Sequence, residues 1–437
     1  MSDNDIQLEM NFSDRNNRFR RTVENGKFTV LFEGPLPEPQ VPAAETVNQL
    51  KALEDAVLNI DSVKCGLAIL DRSRNSEAWS GIEFASHLSE ENRDHHVVYL
   101  SGRNRNDAEI DRQLVIAANS GNVNIAAVSG DLDDSPEHTD SGIIFKKILK
   151  RKDFFSGVTV NPYQYDPWSL TAQYSKLASR AGLNAGFFVA QAGWDILKLQ
   201  SLSWFLISRA HFVPGFVRII LLTPDKVEKL VAGKQPGVTI SRELLRTLEK
   251  ELCFSRNQFD AAQLRRLKRQ VAACKVLGFS GIQLCGAEDP RLAAIAGACI
   301  SEALNEFKTF DDFLECYHSE MAESEVNSFH LEFQLFDRVL NRPYPFDAPP
   351  QPREIPVPEI SFWEKLKVKL TPGDKFSGQR QGIATVRNCP KHNGYGPCGG
   401  VRHDGKCENG KQECVYRKWV RFAAAADALS SVEKEMI

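Results

Sequence analysis

"KFTVLFEG", residues 27–34, is an apolar and β-branched run that ends in an acid and a Gly-Pro turn. Side chains of this kind suit a pleated surface. The run "FTVLF" leads straight into Glu33 and reads as a strand covered on both faces. Seven further runs have the same character: "SVKCGLAIL" (62–70), "HHVVYLSG" (95–102), "NVNIAAVSGD" (122–131), "FSGVTVNPY" (155–163), "NAGFFVAQAG" (184–193), "FVRIILLT" (216–223) and "GFSGIQLCG" (278–286). Amphipathic stretches separate them, among them "ETVNQLKALEDAVLNI", "DAEIDRQLVIAANSG" and "SLTAQYSKLASRAG". In "AAQLRRLKRQVAACKVLG", Leu264, Leu267, Val271 and Cys274 share one helix face, and Gly278 closes the helix as a C-cap.

Continuous apolar strands alternating with helices indicate a parallel sheet whose faces are covered. Eight such units predict an α/β protein built on a (β/α)₈ TIM barrel. The rival is a doubly wound sheet, but no Gly-x-Gly-x-x-Gly follows any of the strands.

The 437 residues are 42% hydrophobic and 25% charged, enough for a substantial core. The net charge of −3 argues against nucleic-acid binding through a broad basic face. The N-terminus, "MSDNDIQLEMNFSDRNNRFRR", has no apolar signal-peptide core, and no run approaches the length of a membrane helix. A cytoplasmic protein with reduced thiols is expected. Residues 1–26 read as an N-terminal extension and 27–335 as the barrel with trailing helices. Residues 336–380 read as a linker, with "NRPYPFDAPPQPREIPVPEI" too proline-rich for a helix or a central strand. Residues 381–437 then form a small cysteine-rich module standing apart from the barrel.

Chemistry in a barrel sits at the C-terminal ends of the strands. Glu33 ends the first, Asp131 the fourth and Gln191 the sixth, while the fifth ends in Asn161, Tyr163 and Gln164. An acid, a carboxylate and an amide facing one cavity can bind and protonate a flat polar heterocycle. Cys285 ends the eighth strand within reach of the same cavity; His95 and His96 open the third strand at the opposite face and read as structural.

The module carries "CPKHNGYGPCGGVRHDGKCENGKQEC", with Cys389, Cys398, Cys407 and Cys414 among six glycines and two histidines. In a reducing compartment such a cluster points to metal rather than disulfides. Four thiolates suit tetrahedral Zn²⁺ or a [4Fe–4S] cluster, and the missing Cys-x-x-Cys pair leaves both open. A segment with so little apolar content would gain its fold from coordination.

Taken in order, these pieces resemble the methylenetetrahydrofolate reductase family. The resemblance rests on "FEGPLP" after the first strand, Asn124-Ile125 and Gly130-Asp131 in the fourth, Gln191 in the sixth, and the segments around the seventh and eighth strands. "CPK…NGYGPCGG…GKCE…C" is similar to the cysteine-rich C-terminal domain fused to, or partnered with, some bacterial members. The resemblance implies a flavoenzyme, carrying FAD or FMN, that interconverts 5,10-methylene- and 5-methyltetrahydrofolate, with NAD(P)H or an electron-transfer protein as donor. It implies Glu33, with a raised pKa, as the acid that opens the folate bridge, and Asp131 and Gln191 as partners of the pterin's amine and amide edges. Flavin contacts would fall on Tyr99, Ser101, Ser129, Gly130, Asn161, Tyr163 and Arg180. Several depart from the family pattern: Ser129 replaces an arginine, Tyr99-Leu100-Ser101 replaces His-Leu-Thr, and Gln173 and Arg180 replace an acid and a lysine. Those departures keep two alternatives open, a flavin-free folate barrel acting in methyl transfer and a non-catalytic folate-binding or electron-transfer subunit. A homo-oligomer is compatible with either.

Overall fold

The computed structural model of the chain describes residues 17–36, 41–71, 80–130, 137–232, 237–238, 240–323, 360–361, 389–402, 404–426 and 428–436. Eight parallel strands close into a barrel in sequence order, with β8 paired to β1. They are β1 (Thr29–Glu33), β2 (Lys64–Ile69), β3 (Val97–Ser101), β4 (Asn124–Val128), β5 (Phe155–Val160), β6 (Phe187–Ala190), β7 (Gly215–Ile220) and β8 (Gly281–Cys285). Seven lie within a run read from the sequence, and β7 starts one residue ahead of its run. The barrel is therefore the predicted one.

Helices α1 (Arg18–Glu24), α2 (Ala43–Leu58), α3 (Gly81–Ala85), α4 (Asp107–Asn119), α5 (Ser141–Leu149), α6 (Pro167–Gly182) and α7 (Ile196–Ser208) precede β7. After it come α8 (Pro224–Val231), α9 (Arg242–Phe254) and α10 (Arg256–Val276), and after β8 come α11 (Pro290–Ala303) and α12 (Phe310–Glu323). Two more helices, α13 (Val415–Ala425) and α14 (Leu429–Glu435), lie in the C-terminal module. Most helices start at a side-chain cap, such as Asn106 before α4, Asp166 before α6 and Ser255 before α10. Each cap satisfies an amide that the first helical turn leaves unpaired. Gly278 takes a left-handed φ of 81° just beyond α10, as the C-cap reading required.

Alternation along each strand divides the core in two. Val30, Phe32, Val98, Leu100, Ile282 and Leu284 face the surrounding helices. Leu31, Ala68, Val97, Tyr99, Ala126, Phe155, Phe187, Val189 and Phe216 fill the barrel interior. At the N-terminal end of the strands the filling is aromatic. Phe19, on the short helix α1 ahead of β1, plugs this end with its ring 6.0 Å from Phe155, 5.5 Å from Phe187 and 5.5 Å from Phe216. Gly157 makes room for this layer, since a Cβ there would stand 2.3 Å from the Phe187 ring. The plug is tied down by Asn17, whose Nδ2 donates to Asn124 Oδ1 at 2.7 Å, and by an Arg18–Asp94 ion pair. So part of the supposed N-terminal extension belongs to the barrel core.

His96 is structural, as expected: its Nδ1 accepts from the Leu67 amide and its Nε2 meets Glu54 at 2.8 Å. His95 ends a 3₁₀ turn rather than opening β3. No helix among the described residues is long and apolar enough to cross a membrane. The proline-rich linker falls almost wholly outside the described residues.

The cysteine-rich module does not stand apart from the barrel. Tyr416, Trp419, Val420, Phe422 and Ala423 of α13, with Val432 and Met436, share one apolar cluster with Trp168 and Ala172 of α6. Arg417 pairs with Asp166, the cap of α6, at 3.0 Å, and Arg209 of the α7 end pairs with Glu433 at 2.5 Å. The module is too small to bury its own apolar face, and α6 completes its core.

Replacing Phe19 with Ala should leave the barrel floor underfilled and cost about 3–5 kcal/mol, the usual range for a buried Phe truncation. A urea unfolding midpoint unchanged from wild type would show that α1 contributes nothing to barrel closure.

Candidate functional site

The C-terminal ends of the strands carry a buried polar layer. Glu33 occupies the inward position at the end of β1, only 3% exposed. Arg218 of β7 reaches it with two prongs: Nε forms a short ion pair with Oε1, and Nη2 donates to Oε2 at 2.8 Å. Gln283 of β8 donates from Nε2 to Glu33 Oε1 at 2.7 Å, and its own Oε1 accepts from the Tyr99 hydroxyl at 2.5 Å. The third nitrogen of Arg218, Nη1, faces Gln191 Oε1 at 3.4 Å. Gln191 Oε1 also accepts from the Ala192 amide at 3.0 Å. Arg218 thus joins the end of β1 to the end of β6.

This arrangement sets the protonation state of Glu33. Burial pushes its pKa up, but the charge of Arg218 and hydrogen bonds from Arg218, Gln283 and Cys285 outweigh it, and the carboxyl lies below the ordinary range. Burial lowers Arg218, and the Glu33 carboxylate more than reverses this. The raised pKa that the acid role demands is therefore not present here, because barrel closure sets the Arg218 cation next to Glu33. Arg218 itself was legible. It interrupts the apolar run "FVRIILLT" two positions after inward-facing Phe216, so alternation turns it inward. Gln283 follows from the same argument in "GIQLC".

Cys285 does reach the cavity end, and Lys226 Nζ stands 3.7 Å from its sulfur and 3.2 Å from Glu288. Burial pushes the Cys285 thiol up to about 12, so it is a neutral neighbour of Glu33 and not a nucleophile. Asp131 lies outside the described residues.

The seven residues expected to hold a flavin are dispersed or already engaged. Tyr99 is inside the barrel against Gln283. The Ser101 amide donates to Asp71 at 2.7 Å, and its hydroxyl accepts from the Arg103 amide at 3.2 Å. Ser129 is 8% exposed and Gly130, beside it, is half-buried. Tyr163 lies with its ring over Gly193. Arg180 is fully buried, donating to the Ser141 hydroxyl at 3.0 Å with its guanidinium 5.9 Å from the Phe145 ring. It faces no surface from which a phosphate could reach it. As arranged, these side chains do not form a flavin cradle.

Asn161 shows why. Its Nδ2 donates to the Gly399 carbonyl at 2.7 Å and to the Gly237 carbonyl at 2.9 Å, and Gln164 Nε2 also donates to Gly399 at 2.7 Å. Lys176 Nζ and Gln173 Nε2 of α6 donate to the neighbouring Pro397 carbonyl at 2.8 and 3.3 Å. Asp140, the cap of α5, accepts from the Gly394 amide at 2.9 Å. The cysteine loop is thus laid across the end of β5 and the middle of α6 by polar side chains of the barrel. Gly399 has a φ of 96°, and a Cβ there would sit 3.0 Å from Asn161, so only glycine permits this approach.

The four cysteines converge. Cys389, Cys398, Cys407 and Cys414 all line one small cavity of about 20 Å³. The Gly400 amide points at the Cys398 sulfur from 3.4 Å, and Val401 and Cys407 bridge as a short antiparallel pair. A buried Lys391–Glu408 ion pair braces the loop. Among the described residues no group of three or more His, Cys, Asp and Glu is set as a ready-made ion cage. The donor chemistry and the shared cavity fit a thiolate-bound metal, while the closed coordination geometry is not preformed.

Residues 373–437 match the family described as "Methylene-tetrahydrofolate reductase C terminal". The likeness read from the cysteine spacing is thereby supported over the segment that carries all four cysteines. No curated protein matches the sequence.

If the cysteines hold metal, Cys398→Ser should lose it in elemental analysis and expose α13 and α14 to protease, with the barrel still folded. Full metal content in that variant would remove Cys398 from the ligand set.

Proposed function

We propose that the chain binds a reduced folate at the mouth of its barrel and serves the interconversion of 5,10-methylene- and 5-methyltetrahydrofolate. The meeting of Glu33, Arg218 and Gln191 at the C-terminal ends of β1, β7 and β6 carries this reading, and the C-terminal family match supports it. A pterin offers an amide edge with one donor and one acceptor, the complement of Gln191. Opening the methylene bridge requires a proton on the departing nitrogen, and Glu33, which Arg218 joins to Gln191, is the proposed acid. Asp131 is proposed as the partner of the pterin's amine edge. In the reductase form of this reading a bound FAD or FMN would supply hydride chemistry, with NAD(P)H or an electron-transfer protein as its reductant. The family match, not the arrangement of Tyr99, Asn161 and Arg180, supports that form.

The burial of Arg180 and the engagement of Asn161 by Gly399 favour a second reading, a flavin-free folate barrel acting in methyl transfer. For the cysteines we propose Zn²⁺. Four thiolates around one small cavity would complete a single tetrahedral site.

Absorbance of the purified protein near ~450 nm, as bound flavins show, would support the reductase. Colourless protein that binds 5-methyltetrahydrofolate, even after incubation with FAD and FMN, would transfer the assignment to the flavin-free barrel. Glu33→Gln should lower the folate-dependent rate by about 10²–10⁴-fold, the usual loss for a general acid. A rate equal to wild type would leave Glu33 as a counterion for Arg218 alone.

A further inference from the structure

The polar layer contains a contradiction that Arg218 resolves. The reduced-folate reading, on which this inference rests, needs Glu33 to donate a proton, yet Glu33 is held by the Arg218 fork and by Gln283. Arg218 is not held equally on its two sides. Nε and Nη2 grip the carboxylate, whereas Nη1 makes a long 3.4 Å contact with Gln191 Oε1, an oxygen already taken by the Ala192 amide. That weaker side faces the residue suited to read a ligand's amide edge. We propose that Arg218 is a positioning residue of this site: it grips Glu33 in the present arrangement and is drawn toward Gln191 when the amide edge of a bicyclic heterocycle docks there, releasing Glu33 to the ligand.

The exchange balances. A docked carbonyl oxygen offers Arg218 an acceptor in place of one carboxylate oxygen, so the guanidinium keeps its hydrogen bonds. Glu33, losing part of its counter-charge in a buried site, takes up one proton from solvent and becomes the neutral acid. The other groups facing it do not substitute for Arg218. Tyr99 is committed to Gln283, Cys285 is a neutral thiol, and Lys226 is paired with Glu288.

The inference predicts a proton count. Calorimetric titration of the full-length chain with 5-methyltetrahydrofolate, in buffers of different ionisation enthalpy, should show uptake of about one proton per ligand near neutral pH. Because binding takes up a proton, affinity should weaken as pH rises, by at most about tenfold per unit. In Arg218→Gln, Glu33 has no counter-charge and is protonated beforehand, so uptake should vanish and affinity should be flat across neutral pH. Arg218→Lys keeps a charge but not the two-pronged fork, and should give an intermediate count. A purely structural Arg218 would lower the melting temperature and leave the proton count unchanged. Binding without proton uptake in the wild type, or undiminished uptake in Arg218→Gln, overturns the proposal.

If the folate does not bind at all, the functional reading fails, and infrared difference spectra of the ligand-free protein decide the grip separately. With Glu33→Gln as reference, the carboxylic-acid band of Glu33 should be absent from wild type and present in Arg218→Gln. Should Arg218→Gln fail to fold, Arg218→Lys and wild type carry the same comparison. A protonated Glu33 in ligand-free wild type would refute the grip.

Discussion

Closing eight parallel strands leaves an interior only as wide as the side chains that fill it, so each inward position must pack and each inward polar group must be paired. The two ends of this barrel meet that constraint in opposite ways. At the N-terminal end Phe19, Phe155, Phe187 and Phe216 close the floor with aromatic area. At the C-terminal end Glu33 and Arg218 fill the equivalent space with charge, tied through Gln283 to Tyr99. Removing one member of such a pair leaves the other buried and uncompensated, at a cost of about 3–5 kcal/mol. The layer is thus both a closure device and the chemical centre.

The second constraint is the small size of the C-terminal module. Its helix α13 carries an apolar face that the module cannot cover alone, and Trp168 and Ala172 of α6 cover it. Docking there brings the cysteine loop to the end of β5 and the middle of α6, where Asn161, Gln164, Gln173 and Lys176 all donate to its backbone carbonyls. Asn161, which the resemblance assigns to a flavin, is thereby engaged by the chain itself. The cysteines sit beside the barrel mouth because of this packing.

Much of this was legible in the residues. The eight strands followed from apolar runs bounded by turn residues, since strand patterning is local and each run had no other way to bury both faces. Glu33 and Gln191 at strand ends, the structural role of His96 and the convergence of the four cysteines could be read in the same way. Spacing along one loop limits where its side chains can go. The inward turn of Arg218 follows from the period of two along β7, but its partner on β1 does not, because the pair forms across the barrel.

Sequence by itself determined the barrel, its strand order and the identity of the polar groups at its mouth, because alternation and chain order are local properties. The protonation state of Glu33 was not among them. It depends on Arg218, 185 positions away in sequence and brought alongside only by closure of the barrel. Nor did sequence reveal that Arg180 would be sealed under Phe145, or that Asn161 would hold Gly399. Burial and pairing across distant segments arise when surfaces meet, and only the tertiary structure brings those surfaces together.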